Sequence, residues 1–572
     1  MTKLPNRKKN NAEVIKMWDV NDLLERLRFN SDRLAYKYFE QGKLKEMTYA
    51  EFYTIALQFA AAMEAKGFVG KRIAVIGDTS PQWLATYVGA LASGTIIIPM
   101  DKELEVSQIE KFLEMVEAEA IVYSKSFNEK FADTINAHPT LKLFIPVTPP
   151  DELEANDKII PFEDILKMGQ TEIDNGYTVK NVENRDAMAE MLFTSGTTGT
   201  SKCVALSQKN IFAAVTSAIE SVCFVPDDVI VSVLPVHHTY ELMCLIASMN
   251  LGMTVCINDS LRRVMKNFQL FKPTGLVLVP MFVNTMYKRI WAEAEKSGRD
   301  KTLKTGIKLS RALMKVGIDK RRTIFKSVLD AFGGNLDHII CGGAKLNPEL
   351  ITAFEDFGIS IFEGFGITEC SPLVSVTPYY ARKLGAIGPH VPCCRVRVDP
   401  NSETTEEGYV MGEIQVKGDN VMIGYYNNPE ANADVFTDDG WFRTGDVGYL
   451  DNDGYIYITG RIKFVIVLEN GKNVFPEEIE EYLDMIELIS ECCVIGRKSE
   501  DGDEVIVTAV VYPDYSKFPE GTDDESVKEA IRKAINAMNK KLPTFKQIKA
   551  VEIRKTEFEK TTTKKIKRQL VK

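Results

Sequence analysis

The sequence has few histidines and tryptophans, five and four in 572 residues, and its ten cysteines form no C-x-x-C pair. This cysteine spacing indicates neither a zinc site nor a disulfide framework, so we expect the cysteines to pack in cores under reducing conditions. A basic excess is also missing, since 70 Lys and Arg stand against 80 Asp and Glu, a net charge of −10. That balance argues against nucleic acid as the main partner.

Long hydrophobic runs without interruption are absent too. The longest uncharged stretch, residues 79–100, could span a membrane in length but contains two prolines and two glycines. A helix, a break at Gly94 and a short buried strand over Ile96–Ile98 explain it better. No apolar segment typical of a secretory signal follows the basic amino-terminal residues, so we expect a cytoplasmic protein. For NRKKNN, residues 6–11, two interpretations stay open: peripheral contact with a membrane, and a disordered segment.

The chain is too long for one core, so we expect at least two domains. Short apolar runs alternate with helical patterns over residues 72–124 and again over 229–343, which predicts parallel sheets covered by helices. From about Gly385 short strands and turns predict a small β-rich unit. The predicted fold class is α/β: a large N-terminal domain, residues 1–462, of two doubly wound sheets plus this subdomain, then a smaller α+β C-terminal domain, residues 463–572.

The stretch LFTSGTTGTSK, Leu192–Lys202, favours phosphate binding. Glycines let backbone N–H groups converge on an anion, while hydroxyls and a lysine add donors and charge. Its spacing is not that of a Walker loop, because Gly196, Gly199 and Lys202 fall at three-residue intervals. A solvated linker is the alternative, although the patterned apolar segments on both sides argue against it.

Three further stretches support a nucleotide site. CGGAKLNPEL (341–350) and EGFGITECSP (363–372) each follow a predicted strand, where parallel sheets bind ligands. In the second, Phe365 offers a face to a flat ring and Glu369 suits a hard cation beside phosphates. Asp446 of the T-G-D sequence is expected in a tight turn, suited to accepting hydrogen bonds from two ribose hydroxyls. Each motif alone is weak, since Gly-Gly turns and T-G-D turns are common.

With these motifs in this order, the chain resembles the adenylate-forming superfamily of acyl-CoA synthetases, firefly-luciferase-like enzymes and peptide-synthetase adenylation domains, from about residue 30 to Arg568. LPVHHTYE, LENGKNVFPEEIE and EKTTTKKIKR make it most similar to long-chain fatty acid CoA ligases. The resemblance implies that the β- and γ-phosphates of ATP contact Thr194, Ser195, Gly196, Thr197, Thr198, Gly199 and Lys202. It further implies an adenine pocket of Gly343, Ala344, Gly364, Phe365 and Gly366. Other implied roles are an α-phosphate contact at Thr368, a magnesium ligand at Glu369, ribose contacts at Asp446 and Arg461, and a histidine near the carboxylate and the acyl entrance at His238.

The last motif, KTTTKKIKR, is similar to the family pattern K-T-x-T-G-K-I-x-R, which implies that Lys565 is the adenylation lysine. Its ammonium would bridge the acyl carboxylate and the α-phosphate of ATP. Without the resemblance, this stretch is typical of a solvated basic tail. Two departures from the family pattern are Phe365, where many members have tyrosine, and Lys564, which replaces a glycine. The resemblance also implies a mobile C-terminal domain with its hinge at Lys463, otherwise a surface strand lysine, and a thioesterification segment at Gly471.

We expect the protein to activate a long-chain fatty acid to acyl-AMP with release of pyrophosphate. Thioesterification to coenzyme A would follow. The implied cofactors and co-substrates are ATP, Mg²⁺ and coenzyme A. The apolar, methionine-rich segments 242–255 and 275–287 suit an acyl tunnel and equally an ordinary core. Alternatives are adenylation of a medium-chain or aryl acid, transfer to a carrier protein, and a non-catalytic nucleotide- or acyl-binding module. The sequence does not predict an oligomeric state.

Overall fold

The computed structural model describes residues 2–3, 15–150, 156–194, 201–399, 403–405, 407–469, 472–499, 502, 504–561 and 565–571. Some predicted residues lie outside these ranges, namely Ser195, Gly196, Thr197, Thr198, Gly199, Lys564 and Gly471. All ten cysteines are described and are free thiols, and eight of them are buried, as the sequence predicts.

The first part of the chain forms most of a seven-stranded sheet, sheet A, in the order β7-β6-β4-β5-β8-β9, with a later strand at the β9 edge. Most neighbouring strands are parallel, whereas β8 and β9 form an antiparallel hairpin around the glycine-rich stretch. The elements are β1 Thr2–Lys3, α1 Val20–Phe29, β2 Leu34–Glu40, β3 Lys43–Thr48, α2 Tyr49–Ala65, β4 Arg72–Ile76, α3 Pro81–Ala92, β5 Ile96–Met100, α4 Val106–Met115, β6 Ala120–Tyr123, α5 Thr134–Ala137, β7 Leu143–Pro146, α6 Phe162–Asp174, β8 Met188–Thr194, β9 Lys202–Ser207 and α7 Gln208–Ser221.

The second part completes an eight-stranded sheet, sheet B, in the order β15-β14-β13-β12-β10-β11-β2-β3. Its edge hairpin, β2 and β3, comes from near the amino terminus, which the sequence pattern did not predict. The elements are β10 Val229–Ser232, α8 Thr239–Leu251, β11 Thr254–Ile257, α9 Val264–Phe271, β12 Gly275–Leu278, α10 Pro280–Lys296, α11 Asp300–Lys315, α12 Arg321–Ile324, α13 Lys326–Asp330, β13 His338–Gly342, α14 Pro348–Asp356, β14 Ser360–Gly366, β15 Leu373–Val376 and β16 Ala381–Arg382.

Successive side chains of a strand point in opposite directions, and the inner strands of both sheets are buried on both faces. Ile73 and Val75 of β4 join the largest core, which includes side chains of α2, α3, α7 and α8, whereas Ala74 and Ile76 face a second core. In sheet B, Ile230 of β10 joins the largest core, whereas the next residue, Val231, packs with side chains of α10 and α14. Methionines of segment 242–255 are part of the largest core, so the ordinary-core interpretation holds for them.

A five-stranded antiparallel sheet follows, as the short strands and turns predict. One prediction is wrong here: Asp446 does not lie in a tight turn but within β21, where it pairs with Arg461 of β22. The turn of this hairpin lies instead around residues 451–455. The elements are β17 Cys394–Val398, β18 Glu403–Thr404, β19 Val410–Gly418, β20 Gly424–Tyr425, which is the edge strand of sheet A, α15 Pro429–Val435, β21 Phe442–Leu450 and β22 Ile456–Arg461.

The last part has its own core beneath a three-stranded sheet and two helices. Helix α16 begins at Pro476, as predicted, with two glutamates in its first turn. The elements are β23 Ile466–Val467, β24 Asn473–Val474, α16 Pro476–Leu483, β25 Ile489–Lys498, β26 Val505–Pro513, α17 Asp524–Asn539 and β27 Ala550–Ile553. Among the described residues, no helix combines the length and apolar character that crossing a bilayer requires.

Candidate active site

A lysine of the β8–β9 hairpin and a carboxylate from the turn after β14 lie at the same tyrosine side chain. Thr194, the last residue of β8, pairs with Lys202, the first residue of β9. The Lys202 ammonium lies 4.5 Å from the ring centroid of Tyr425, and the Tyr425 hydroxyl donates to Glu369 Oε1 at 2.8 Å. The structure thus places Lys202 and Glu369 together through Tyr425, a residue that sequence reasoning missed; the only signal was an aromatic pair before N-N-P.

The predicted adenine pocket lies where two neighbouring strands end. Gly342 of β13 pairs with Gly364 of β14, and Gly343 and Ala344 follow as exposed residues. Gly343 has a φ of +87°, which disfavours a side chain, so the backbone surface here stays open. Phe365 is half-buried, with one side packed on the largest core. This arrangement leaves a narrow backbone and aromatic surface suited to a flat ring.

Close packing of Gly366 against the Pro372 backbone fixes the end of β14. A Cβ atom on Gly366 would lie 2.2 Å from the carbonyl oxygen of Pro372, so only glycine fits. The chain then turns through Thr368 and Glu369 in a 3₁₀ turn, Thr368–Cys370. Thr368 and Glu369 therefore lie in a turn that begins two residues after the last predicted pocket residue, Gly366.

Asp446 and Arg461 form an ion pair across the β21–β22 hairpin. Arg461 Nε lies 2.9 Å from Asp446 Oδ1, and Asp446 is only 4% exposed. Its second oxygen, Oδ2, is buried and has no hydrogen-bond partner among the described residues. Burial raises the pKa of Asp446, while Arg461 and Lys565 oppose that shift. A buried acceptor without a donor fits a ligand that brings hydroxyl groups.

Lys565 lies within electrostatic reach of this pair and of His238. Burial together with the Arg461 guanidinium lowers the pKa of Lys565 to about 8, against the opposite effect of Asp446. Lys565 is exposed to solvent, so its lowered pKa comes from the protein atoms and the Arg461 charge near the ammonium rather than from enclosure. The C-terminal residues thus close over the site formed by the N-terminal sheets.

His238 stays neutral beside Lys565. Burial, with smaller effects of His237 and Lys565, lowers the pKa of His238 to about 3. Its Nδ1 accepts from the Tyr240 backbone N–H at 3.2 Å, so the imidazole caps α8. A neutral imidazole can contact a carboxylate group without adding a second positive charge.

Lys463 lies in a 3₁₀ turn, Ile462–Phe464, rather than in a strand. Burial lowers its pKa, and the nearby Lys202 and Arg461 lower it further. The predicted hinge residue is therefore adjacent to two of the predicted ATP-binding residues.

A partly buried ion pair joins the C-terminal part to the predicted pocket. Lys345 Nζ, directly after the pocket residues, lies 2.9 Å from Glu481 Oε1 of α16. Glu363 faces the same lysine, and burial raises the pKa of Glu363 to about 8 despite Lys345. Asn347 Nδ2 donates to the Glu481 carbonyl at 3.2 Å. Sequence reasoning missed this pair because its partners lie 136 positions apart.

The donor set tests whether a magnesium ion fits. The described residues contain no cluster of three His, Cys, Asp or Glu side chains that would hold a metal alone. Mg²⁺ in nucleotide sites commonly takes one or two carboxylates plus phosphate oxygens and water. The half-buried Glu369 beside Lys202 fits that pattern.

This geometry defines a class of enzyme that binds an adenine nucleotide and activates a carboxylate. The fold is similar to that of ATP-bound MatB from Rhodopseudomonas palustris, with a TM-score of 0.71 and 24% identity over 97% of this chain and 98% of that chain. The chain belongs to the AMP-binding enzyme family. Residues 24–426 match the AMP-binding enzyme domain, and residues 463–572 match the AMP-binding enzyme C-terminal domain. The resemblance and the α/β fold class predicted from sequence are therefore confirmed.

The curated relatives name fatty acid ligases. A long-chain fatty acid CoA ligase, FadD15 of Mycobacterium bovis, is 27% identical over 83% of this chain and 79% of its own length. A chloroplastic long-chain fatty acid [acyl-carrier-protein] ligase, AEE15 of Arabidopsis thaliana, is 25% identical over 86% and 75%. The protein is thus an AMP-forming acid–CoA ligase that binds ATP and AMP.

Proposed function

We propose that this protein activates a long-chain fatty acid with ATP to acyl-AMP and then transfers the acyl group to coenzyme A. The observation that carries the proposal is that Lys565 lies close enough to Asp446, Arg461 and His238 for their charges to interact. An ammonium near a buried carboxylate and a neutral histidine suits the junction of carboxylate and α-phosphate. The long-chain substrate is supported by the names of relatives such as FadD15.

In the first step, the formation of acyl-AMP, each of these side chains has a separate role. Asp446 accepts from the ribose hydroxyls, and Arg461 holds Asp446 in place. Thr368 contacts the α-phosphate, and Lys202 with the glycine-rich stretch contacts the β- and γ-phosphates. The carboxylate oxygen attacks the α-phosphorus, pyrophosphate leaves, and Lys565 stabilises the charge that develops between them. Bound through Glu369, Mg²⁺ would supply further charge neutralisation at the phosphates.

The second step needs a different arrangement, because the thiol must reach the acyl-AMP that Lys565 covers. We propose that residues 463–572 form the mobile C-terminal domain and rotate at Lys463, with residues 1–462 as the N-terminal domain. Gly471 belongs to the segment that would face the site after rotation. The cytoplasmic location expected from the sequence also stays a prediction.

The experiment that tests this proposal measures pyrophosphate release with ATP and Mg²⁺ across acids from acetate to oleate, plus benzoate, with and without coenzyme A. We expect a maximum at long chains and turnover that depends on coenzyme A. A maximum at medium-chain or aryl acids would correct the substrate, and turnover only with an acyl carrier protein would correct the acceptor. No acid-dependent release would favour a binding module.

The pKa of Lys565 gives this reaction a pH dependence. Because the protonated ammonium is the active form and its pKa is lowered to about 8, the active fraction is complete well below pH 8 and decreases above it. We expect kcat/KM for ATP to fall about tenfold per pH unit at high pH, since this ratio reports the free enzyme. Thioesterification of supplied acyl-AMP should not share this fall, because thiolate formation favours high pH. A flat profile of adenylation up to pH 10 would contradict the assignment of about 8.

The Lys345–Glu481 pair is expected to favour the arrangement in which Lys565 covers the site. Lys345→Met leaves the partly buried Glu481 carboxylate without its cation, which destabilises this arrangement. We expect adenylation to slow by about tenfold or more, whereas thioesterification of supplied acyl-AMP changes little.

The exchange variant Lys345→Glu/Glu481→Lys serves as the control, since it restores opposite charges across the contact. Recovery of adenylation by this double variant would support the pair. Equal loss of both half-reactions in Lys345→Met, without recovery, would contradict it.

A further inference from the structure

Helix α11 carries a concentrated strip of positive charge. At about 100° per residue, Lys301, Lys304, Lys308, Arg311 and Lys315 fall within an arc of about 80°. All five are exposed. The helix therefore presents one continuous basic strip along about 21 Å of its length.

A neutral and apolar strip runs beside the basic one. Its members, in the next arc of about 80°, are Thr302, Thr305, Leu309, Ala312 and Val316. Leu309 is 53% exposed and Val316 is 69% exposed, and Ile318 just beyond the helix is 46% exposed. The remaining arc, with Leu303, Ile307 and Ser310, faces the protein. The exposed half of α11 is thus itself divided into a cationic and a non-charged half.

The basic strip is only partly neutralised within the protein. Arg311 pairs with Asp356 at 2.6 Å, and Lys304 approaches Asp300 at 3.7 Å. No carboxylate of the described chain lies within ion-pair distance of Lys301, Lys308 or Lys315. These three ammonium groups therefore keep their charge available to a partner.

The local charge is opposite to that of the rest of the protein. Residues 299–326 contain ten Lys or Arg and two Asp, a net of +8, whereas the whole chain carries −10. The rest of the chain thus carries −18 and would be repelled by an anionic surface. A surface presented to this face would meet attraction, so the segment would favour one orientation of the protein.

We propose that the exposed face of α11, with Ile318, docks on an anionic lipid bilayer. Basic residues attract anionic headgroups, and adjacent exposed apolar side chains enter the interface, which is the recognition pattern of interfacial helices. A lipid surface fits better than a folded acidic partner because the two strips run side by side along the whole helix. This face is separate from the residues of the candidate site, so docking does not depend on the proposed catalytic function.

The test measures co-sedimentation of the full-length protein with vesicles of phosphatidylcholine alone or with about 30 mol % phosphatidylglycerol. We expect binding to the anionic vesicles only, weakened by added salt. Lys301→Glu/Lys308→Glu/Lys315→Glu should lower the partition coefficient by at least about tenfold. Leu309→Asn/Val316→Asn should lower it several-fold, because the apolar contribution is lost.

A matched control changes the net charge equally at exposed lysines elsewhere. Lys43→Glu/Lys45→Glu/Lys533→Glu should bind vesicles like the wild type. Adenylation of a short, water-soluble acid should stay unchanged in both triple variants, which shows that they fold.

Several outcomes would overturn the proposal. These are no binding of the wild type to anionic vesicles, equal binding to neutral vesicles, or equal losses in the two triple variants. Unchanged vesicle binding in the α11 variant, with loss of binding to an acyl carrier protein, would assign the face to an acidic protein instead.

Discussion

Replacement of Lys565 by alanine is expected to slow acyl-AMP formation by about 10³-fold, equivalent to about 4 kcal/mol of transition-state stabilisation. The reason is that Lys565 brings a positive charge to the place where carboxylate, α-phosphate and leaving pyrophosphate meet. ATP binding should weaken much less, because Asp446 and Arg461 still hold the ribose. Pre-steady-state measurement of pyrophosphate release separates these two effects.

Two comparisons make this result specific. Thioesterification of chemically supplied acyl-AMP should change by less than about tenfold, since the ammonium stabilises charge in the first step. Lys567→Ala, two residues further along, is the matched control and should adenylate at nearly the wild-type rate. Wild-type adenylation by the Lys565 variant would remove Lys565 from the mechanism.

Replacement of Asp446 by asparagine is expected to raise KM for ATP by about 100-fold. Asparagine keeps the size of the side chain but has one acceptor oxygen rather than two, and it loses the charge that pairs with Arg461 at 2.9 Å. The Arg461 guanidinium, which is partly exposed, and the ribose hydroxyls then both lose an acceptor. Equilibrium binding of ATP, measured by calorimetry, checks this loss directly.

Asp439→Asn is the control for Asp446, because it also breaks an Asp–Arg contact in the same part of the chain. Arg397 Nη1 lies 2.6 Å from Asp439 Oδ2, but that pair is solvent-exposed. We expect wild-type kinetics, since exposed pairs contribute little. Equal KM values for the Asp446 and Asp439 variants would contradict the ribose assignment.

Local patterns were sufficient to predict much of the fold. The apolar run at 72–77 is a buried strand, and the uncharged stretch 79–100 resolves into α3, Gly94 with φ of +72° and β5. The start of α3 follows from two residues: the Ser80 side chain caps the helix and Pro81 is its first residue. These features depend on neighbouring residues only, which is why sequence periodicity predicts them.

Features that depend on distant residues escaped prediction. Asp446 lies in a strand because Arg461 of the next strand pairs with it, so its T-G-D pattern did not make a tight turn. Tyr425 joins Lys202 to Glu369 only because β20 adds to the edge of sheet A. The Lys345–Glu481 pair requires the C-terminal part to close over the pocket. The order of the motifs predicted a set of site residues, but not how their side chains pair.

The most direct test of the account uses oleate labelled with oxygen-18 in both carboxylate positions, together with ATP, Mg²⁺ and coenzyme A. If the carboxylate attacks the α-phosphorus, one labelled oxygen appears in AMP, and mass spectrometry detects it after a single turnover. The Lys565→Ala variant should form this labelled AMP about 10³-fold more slowly. Label-free AMP, or label in inorganic phosphate, would contradict activation through acyl-AMP.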